Sequence, residues 1–122
     1  MARILIVDDE PAVVGLVRDL LASQDYAADG AANGAQALEK LKASSYDLLI
    51  IDLNMPVMGG IEAIKVIRRD PALARLKILV FTADAKPDVR DGALAAGADG
   101  CLQKPIKLDE FSATIRQALS GA

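Results

Sequence analysis

The chain has no histidine, no tryptophan, one cysteine and only 3% aromatic residues. Without imidazole there is no Ser-His or Cys-His nucleophile and no histidine general base. Any chemistry must then run on carboxylates, hydroxyls, lysine or a metal. The lone Cys101 excludes an internal disulfide, and with histidine missing it leaves zinc sites of the usual kind without ligands. No basic run is longer than Arg68-Arg69, and the net charge is -3 with a pI near 4.8, which argues against nucleic-acid binding. No apolar stretch approaches about 18 residues, and Met1-Ala2-Arg3 leads into a strand-like run without a signal-peptide core. A soluble, cytoplasmic protein with no membrane insertion is expected.

What is present is aliphatic. Of the 122 residues, 52% are hydrophobic, so the core must be built from Ala, Leu, Ile and Val, which suits close helix-on-sheet packing. The length fits one domain, residues 1–122, with no room for an output domain. Continuous apolar runs alternate with amphipathic stretches, the pattern of buried parallel strands and their crossover helices. Strands are predicted at Arg3-Val7, Tyr26-Ala31, Asp47-Asp52, Lys77-Phe81 and Gly100-Gln103. Tyr26-Ala31 is placed by topology, since Ala and Gly are poor strand formers. Helical stripes begin near Pro11, run through Ala37, Leu38 and Leu41 to about Ala43, start again at Ile61, span Asp88-Ala96 up to a Gly97 cap, and close with Leu108, Phe111, Ile115 and Leu119. Asp70-Pro71 ends the third of them. The expected fold is α/β: a doubly wound, flavodoxin-like, five-stranded parallel sheet of order 2-1-3-4-5, with five helices on two faces.

Four apolar runs end in residues suited to magnesium and phosphate. Asp8 and Asp9 follow Ile4-Val7, Asp52 follows Leu48-Ile51, Thr82 follows Ile78-Phe81, and Lys104 follows Cys101-Leu102. In a parallel sheet all such strand ends open on one edge, and order 2-1-3-4-5 makes strands 1 and 3 neighbours at the switch point. Asp8, Asp9 and Asp52 should therefore converge, flanked by Thr82 and Lys104. Three carboxylates about 5 Å apart repel by roughly 3 kcal/mol per pair at an effective dielectric near 20. A hard divalent cation relieves this, and magnesium favours a few carboxylate oxygens with waters and phosphate oxygens. Three carboxylates, one magnesium and Lys104 sum to zero charge. Each residue alone has a plainer reading, as a helix cap or a turn. Their joint placement at the ends of four strands is what points to a site.

Together Asp8-Asp9, Asp52-Leu53-Asn54-Met55-Pro56-Val57-Met58-Gly59-Gly60, Phe81-Thr82-Ala83 and Lys104-Pro105 resemble the receiver domain of two-component response regulators, over the whole chain. The resemblance implies a phosphoacceptor switch rather than an enzyme: Asp52 takes a phosphoryl group from a histidine kinase or histidine phosphotransfer protein, with Mg2+ required, and phosphorylation governs binding to a downstream protein target. It implies that Asp9 ligates the metal directly, Asp8 largely through water, and the Asn54 carbonyl completes the protein ligands. Thr82 and Lys104 are then drawn to the phosphate, and the peptide before Pro105 is cis. The missing histidine agrees, because the phosphohistidine must sit on another chain. The partner face implied comprises Asp88-Ala96, the fifth strand and the last helix, with Lys107, Glu110 and Arg116.

Cys101 departs from the family, which usually has an aromatic residue there, and Gly59 stands where Asp is frequent. Cys101 is expected to pack passively. Polar Asn54 and Asp84 lie where the family tunes hydrolysis, so a short-lived phosphorylated form is expected. Two other readings share part of the pattern. An aspartate-nucleophile, magnesium-dependent phosphatase normally carries a second Asp where this chain has Asn54, and a receiver can also be one module of a larger hybrid kinase or regulator.

Overall fold

A computed structural model of the chain, describing residues 2–84 and 86–120, has the expected alternation of strands and helices. In order these are β1 (Arg3–Val7), α1 (Pro11–Ser23), β2 (Ala27–Ala31), α2 (Gly34–Ala43), β3 (Leu48–Ile51), α3 (Gly60–Arg68), β4 (Lys77–Thr82), α4 (Pro87–Ala96), β5 (Gly100–Gln103) and α5 (Leu108–Ser120). All pairings are parallel, in the order β2-β1-β3-β4-β5.

Side chains alternate across each strand, and this splits the core in two. Leu5, Val7, Leu49, Ile51, Ile78 and Val80 face one way, against Ala37 and Leu41 of α2, Ala63, Ile64 and Ile67 of α3, and Ala93 of α4. Ile4, Ile6, Leu48, Ile50, Leu79 and Phe81 face the other, against Val17 and Leu21 of α1 and Phe111 and Ile115 of α5. The central strands are therefore covered on both faces, which is why they read as unbroken apolar runs. Ile64 is fully buried, and truncating it to Ala should cost about 2–5 kcal/mol.

The structure corrects several boundaries. β2 starts at Ala27 and β3 covers only Leu48–Ile51; the Asp47 side chain instead accepts a bond from the Arg3 N–H at 2.8 Å. β2 is held by its register with β1, and by Asp29, which accepts bonds from Tyr46 Oη at 2.7 Å and Arg3 at 3.2 Å. α2 starts at Gly34 because the Asn33 side chain caps it, accepting from the Gln36 N–H at 2.9 Å. After α3, Asp70 and Pro71 do not simply stop the chain but begin a 3-10 turn, Pro71–Leu73, with the Asp70 carboxylate bonded to the Ala72 N–H. α4 ends at Gly97, whose φ of +122° suits glycine. Gly60 is required for space, since a Cβ there would collide with the Asp52 carbonyl oxygen and the Leu53 Cα. Among the described residues, no helix is long and apolar enough to cross a membrane.

Candidate functional site

The strand register brings the chemistry together. Val7 pairs with Ile51, so Asp8 and Asp52 leave adjacent strands side by side, and the Asp52 N–H donates to the Val7 carbonyl at 2.9 Å. Thr82 pairs with Gln103, and the Lys104 N–H donates to the Thr82 carbonyl at 2.8 Å. Asp8, Asp52 and Thr82 are the buried polar or charged residues among those described, at 1%, 7% and 4% exposure. All three lie at this one sheet edge.

Lys104 ties them. Its ammonium donates to Asp8 Oδ2 at 2.6 Å and to Asp52 Oδ2 at 3.4 Å, and lies 5.1 Å from the centre of the Phe81 ring. The Lys104–Pro105 peptide is cis. Burial pushes the Asp52 carboxyl above its usual range; Lys104 pulls it down and Asp8 pushes it further up. Burial by itself lowers Lys104, but its bond to Asp8 and the attraction of both carboxylates outweigh that, so the ammonium is held more firmly than usual. The lysine is thus committed mainly to Asp8. Asp52 is held only loosely, its other oxygen accepting from the Asn54 N–H at 3.4 Å.

The acidic cluster differs from expectation in its membership. The carboxylate oxygens within 4.8 Å of one another belong to Asp8, Asp9 and Glu10. Asp52 is not in this set; it follows the neighbouring strand, and the Lys104 ammonium contacts both it and Asp8. Glu10 was not among the residues picked out from the sequence, although its place directly behind the aspartate pair was a usable signal. The cluster does not serve the helix it precedes. Glu10 is the N-cap of α1 but makes no side-chain cap bond, the first turn carries no acid, and Asp8 Oδ1 instead accepts from the Glu10 N–H at 2.9 Å. An all-oxygen, anionic donor set not used for capping fits a hard divalent cation such as magnesium.

The remaining positions are in reach with less commitment. Asn54 is exposed on the loop two residues beyond Asp52. Thr82 Oγ1 accepts from the Asp84 N–H at 3.1 Å, and Asp84 Oδ1 accepts from the Lys86 N–H at 3.1 Å, so this loop folds back on the threonine. Cys101 is half-buried; burial pushes its thiol up, against a smaller pull from Arg90, which leaves it poorly ionised and suited to packing.

The family profile described as the response regulator receiver domain matches residues 4–116. The chain belongs to this family. Over 119 residues the receiver is 35% identical to the transcriptional regulatory protein CpxR homolog of Haemophilus influenzae, covering 98% of this chain and 51% of that protein. It therefore spans about half the length of that curated relative. The chemotaxis protein CheY4 of Vibrio cholerae superposes with a TM-score of 0.93 at 34% identity, over 98% of this chain and 99% of the other. The receiver domain of the sensor histidine kinase PA1611 of Pseudomonas aeruginosa, solved with magnesium coordinated in its active-site cleft, superposes with a TM-score of 0.90 at 29% identity, over 98% of each chain.

Proposed function

We propose that this receiver accepts a phosphoryl group on Asp52 from a phosphohistidine of a partner histidine kinase or phosphotransfer protein. An Asp52 oxygen forms the new O–P bond as the N–P bond breaks and the imidazole departs. The observation that carries this is the single ammonium shared by two buried carboxylates, tightly with Asp8 and loosely with Asp52. Asp52 is desolvated, and neither of its contacts is shorter than 3.4 Å, which favours it over Asp8 as the nucleophile.

Asp8 and Asp9, with Asp52 and the Asn54 carbonyl, are the residues that would hold Mg2+, and the neighbouring Glu10 carboxylate would add to the negative field. When bound, the ion offsets the charge of the carboxylates and of the incoming phosphoryl oxygens. After transfer the pocket gains about one negative charge, since an acyl phosphate carries up to two where the carboxylate carried one. Lys104 then has a stronger anion to pair with than Asp8, and the Thr82 hydroxyl, whose proton is not used by the Asp84 contact, donates to the phosphoryl group. Loss of Lys104 from Asp8 and withdrawal of Thr82 from its loop are the local events that alter binding of a downstream protein.

Incubation with a small phosphodonor tests the reading. Wild type should take up one phosphoryl group only with magnesium, and Asp52→Asn should take up none; unchanged labelling of that variant refutes it. A second reading, in which the chain is a module of a longer regulator or kinase, is favoured by the regulatory relative being about twice as long. The native protein's intact mass, compared with 12.8 kDa for this chain, tests that.

A further inference from the structure

At the sheet edge opposite the carboxylates, where β3 and β4 begin, a groove of about 610 Å3 runs from the end of α2 to the end of α5. Leu73, Leu76 and Leu119 give it apolar walls, and Ser44, Ser45 and Tyr46 add polar groups. Its charged lining is three cations, Lys42, Arg75 and Lys77, and one carboxylate, Asp47. Among the described residues none of these cations is in an ion pair. Asp47 is already engaged, since its Oδ2 accepts from the Arg3 N–H at 2.8 Å. Lys42 also has a plainer task, offsetting the carbonyl end of α2. Arg75 and Lys77 belong to no α-helix: Arg75 precedes β4, and Lys77 is the first residue of that strand. This local excess of positive charge sits on a chain whose net charge is -3.

We propose that this groove docks an extended acidic segment of a partner protein, one in which acidic and aliphatic residues alternate. Side chains of an extended chain point alternately to opposite sides, so one set can lie on Leu73, Leu76 and Leu119 while the other reaches the cations. α2 and α5 pack on opposite faces of the sheet, so the groove crosses the sheet edge, and its cations come from three separate segments. A run of chain can meet each of them in turn. Nucleic acid would use the cations but set sugars and bases, not alkyl groups, against the leucines. The role assigned is a tether. Asp8, Asp52 and Thr82 lie at the other ends of β1, β3 and β4, so a segment held in the groove leaves Asp52 open to its phosphodonor. Docking is therefore independent of phosphorylation, and it goes beyond the phosphoacceptor reading without resting on it.

The test uses the full chain and follows the amides of Ser45, Leu73 and Leu119 by NMR, with acetyl-Glu-Leu-Glu-Leu-Glu-amide as the probe. At millimolar concentration and low ionic strength the probe should shift these amides, and about 0.5 M salt should weaken it several-fold. The charge-reversed acetyl-Lys-Leu-Lys-Leu-Lys-amide, the leucine-free acetyl-Glu-Ser-Glu-Ser-Glu-amide and a short oligothymidylate should each bind at least about fivefold more weakly. Lys77→Glu should weaken the probe by a similar factor, and the double variant Arg75→Glu, Lys77→Glu should prefer the Lys peptide. Unchanged shifts of core amides check that each variant folds. Absence of shifts, equal binding of the reversed or leucine-free peptide, tighter binding of the oligothymidylate, or undiminished binding to the variants each overturn the proposal. Concentration-dependent shifts of the same amides in the chain alone assign the groove to a second copy and overturn the partner segment. Phosphodonor with magnesium should leave the affinity unchanged, and a change of about fivefold overturns the tether role. Labelling at Asp52 is read separately, so its absence counts against the phosphoacceptor reading alone.

Discussion

Replacing Lys104 by Met keeps most of the side-chain volume and removes the one cation shared by Asp8 and Asp52. Both carboxylates touch that ammonium, at 2.6 and 3.4 Å, so these two oxygens can be no more than about 6 Å apart. At an effective dielectric near 20 they then repel by at least about 3 kcal/mol. Removing one partner of a buried ion pair typically costs about 3–5 kcal/mol, and the partial exposure of Lys104 lowers that somewhat. A loss of about 3 kcal/mol at pH 7 without magnesium is expected from urea unfolding. The pH dependence has a definite sign. Burial already raises Asp52 in the folded state, and without Lys104 the rise is larger. A carboxyl raised on folding contributes stability below its unfolded value near 3.8, and that contribution is lost as pH rises through the folded value. The gap between Lys104→Met and wild type should therefore be small near pH 3.8 and widen toward neutrality. Magnesium should close part of it at pH 7. A loss below about 1 kcal/mol at pH 7, or one independent of pH, refutes the electrostatic account.

Asp52→Asn should stabilise the metal-free protein by about 1 kcal/mol at pH 7, because it removes a buried charge while Lys104 keeps its closer partner Asp8; the gain should vanish as pH falls toward 3.8, where Asp52 is itself protonated. Paired urea melts at the two pH values check this. Val57 is 83% exposed and holds a φ of +70°, a left-handed conformation unfavourable for a β-branched residue. Val57→Gly should gain about 1 kcal/mol, and a loss on unfolding contradicts the strain argument. Gly60→Ala should cost about 2 kcal/mol or more and slow labelling of Asp52, because the added carbon meets the Asp52 and Leu53 backbone, which cannot give way as a side chain end can.

Much of this was legible in the chain because the signals were of one kind. β1 is legible to the residue because its buried apolar run ends abruptly at Asp8, whereas β5, a partly buried edge strand, is legible because Gly100 and the Lys104-Pro105 turn bracket it. The order of strands followed from right-handed crossovers, and it predicted which strand ends meet. The parts that were not legible depend on distances. β2 is legible from topology and not from propensity, and what the residue types do not show is the support it finds in the β1 register and in the bond from Tyr46 to Asp29. Lys104 was expected to await a phosphate, and its tight bond to Asp8 could not be read from residue types alone. Glu10 stands beside the aspartate pair in the sequence, where such a run also reads as a helix cap, and only the fold shows its carboxylate grouped with Asp8 and Asp9 without a cap bond. Cys101 signalled a departure from the family, but that it lines a cavity shows only once α4 and α5 are in place.

The central claim is that Asp52, and none of the clustered carboxylates Asp8, Asp9 and Glu10, carries the phosphoryl group. Borohydride reduces an aspartyl phosphate to homoserine, so peptide mass analysis of phosphodonor-treated, borohydride-trapped protein identifies the acceptor directly. The account predicts that the change appears at Asp52 alone and only when magnesium is supplied. Trapping at Asp8, Asp9 or Glu10, or none in a folded, magnesium-loaded protein, contradicts it.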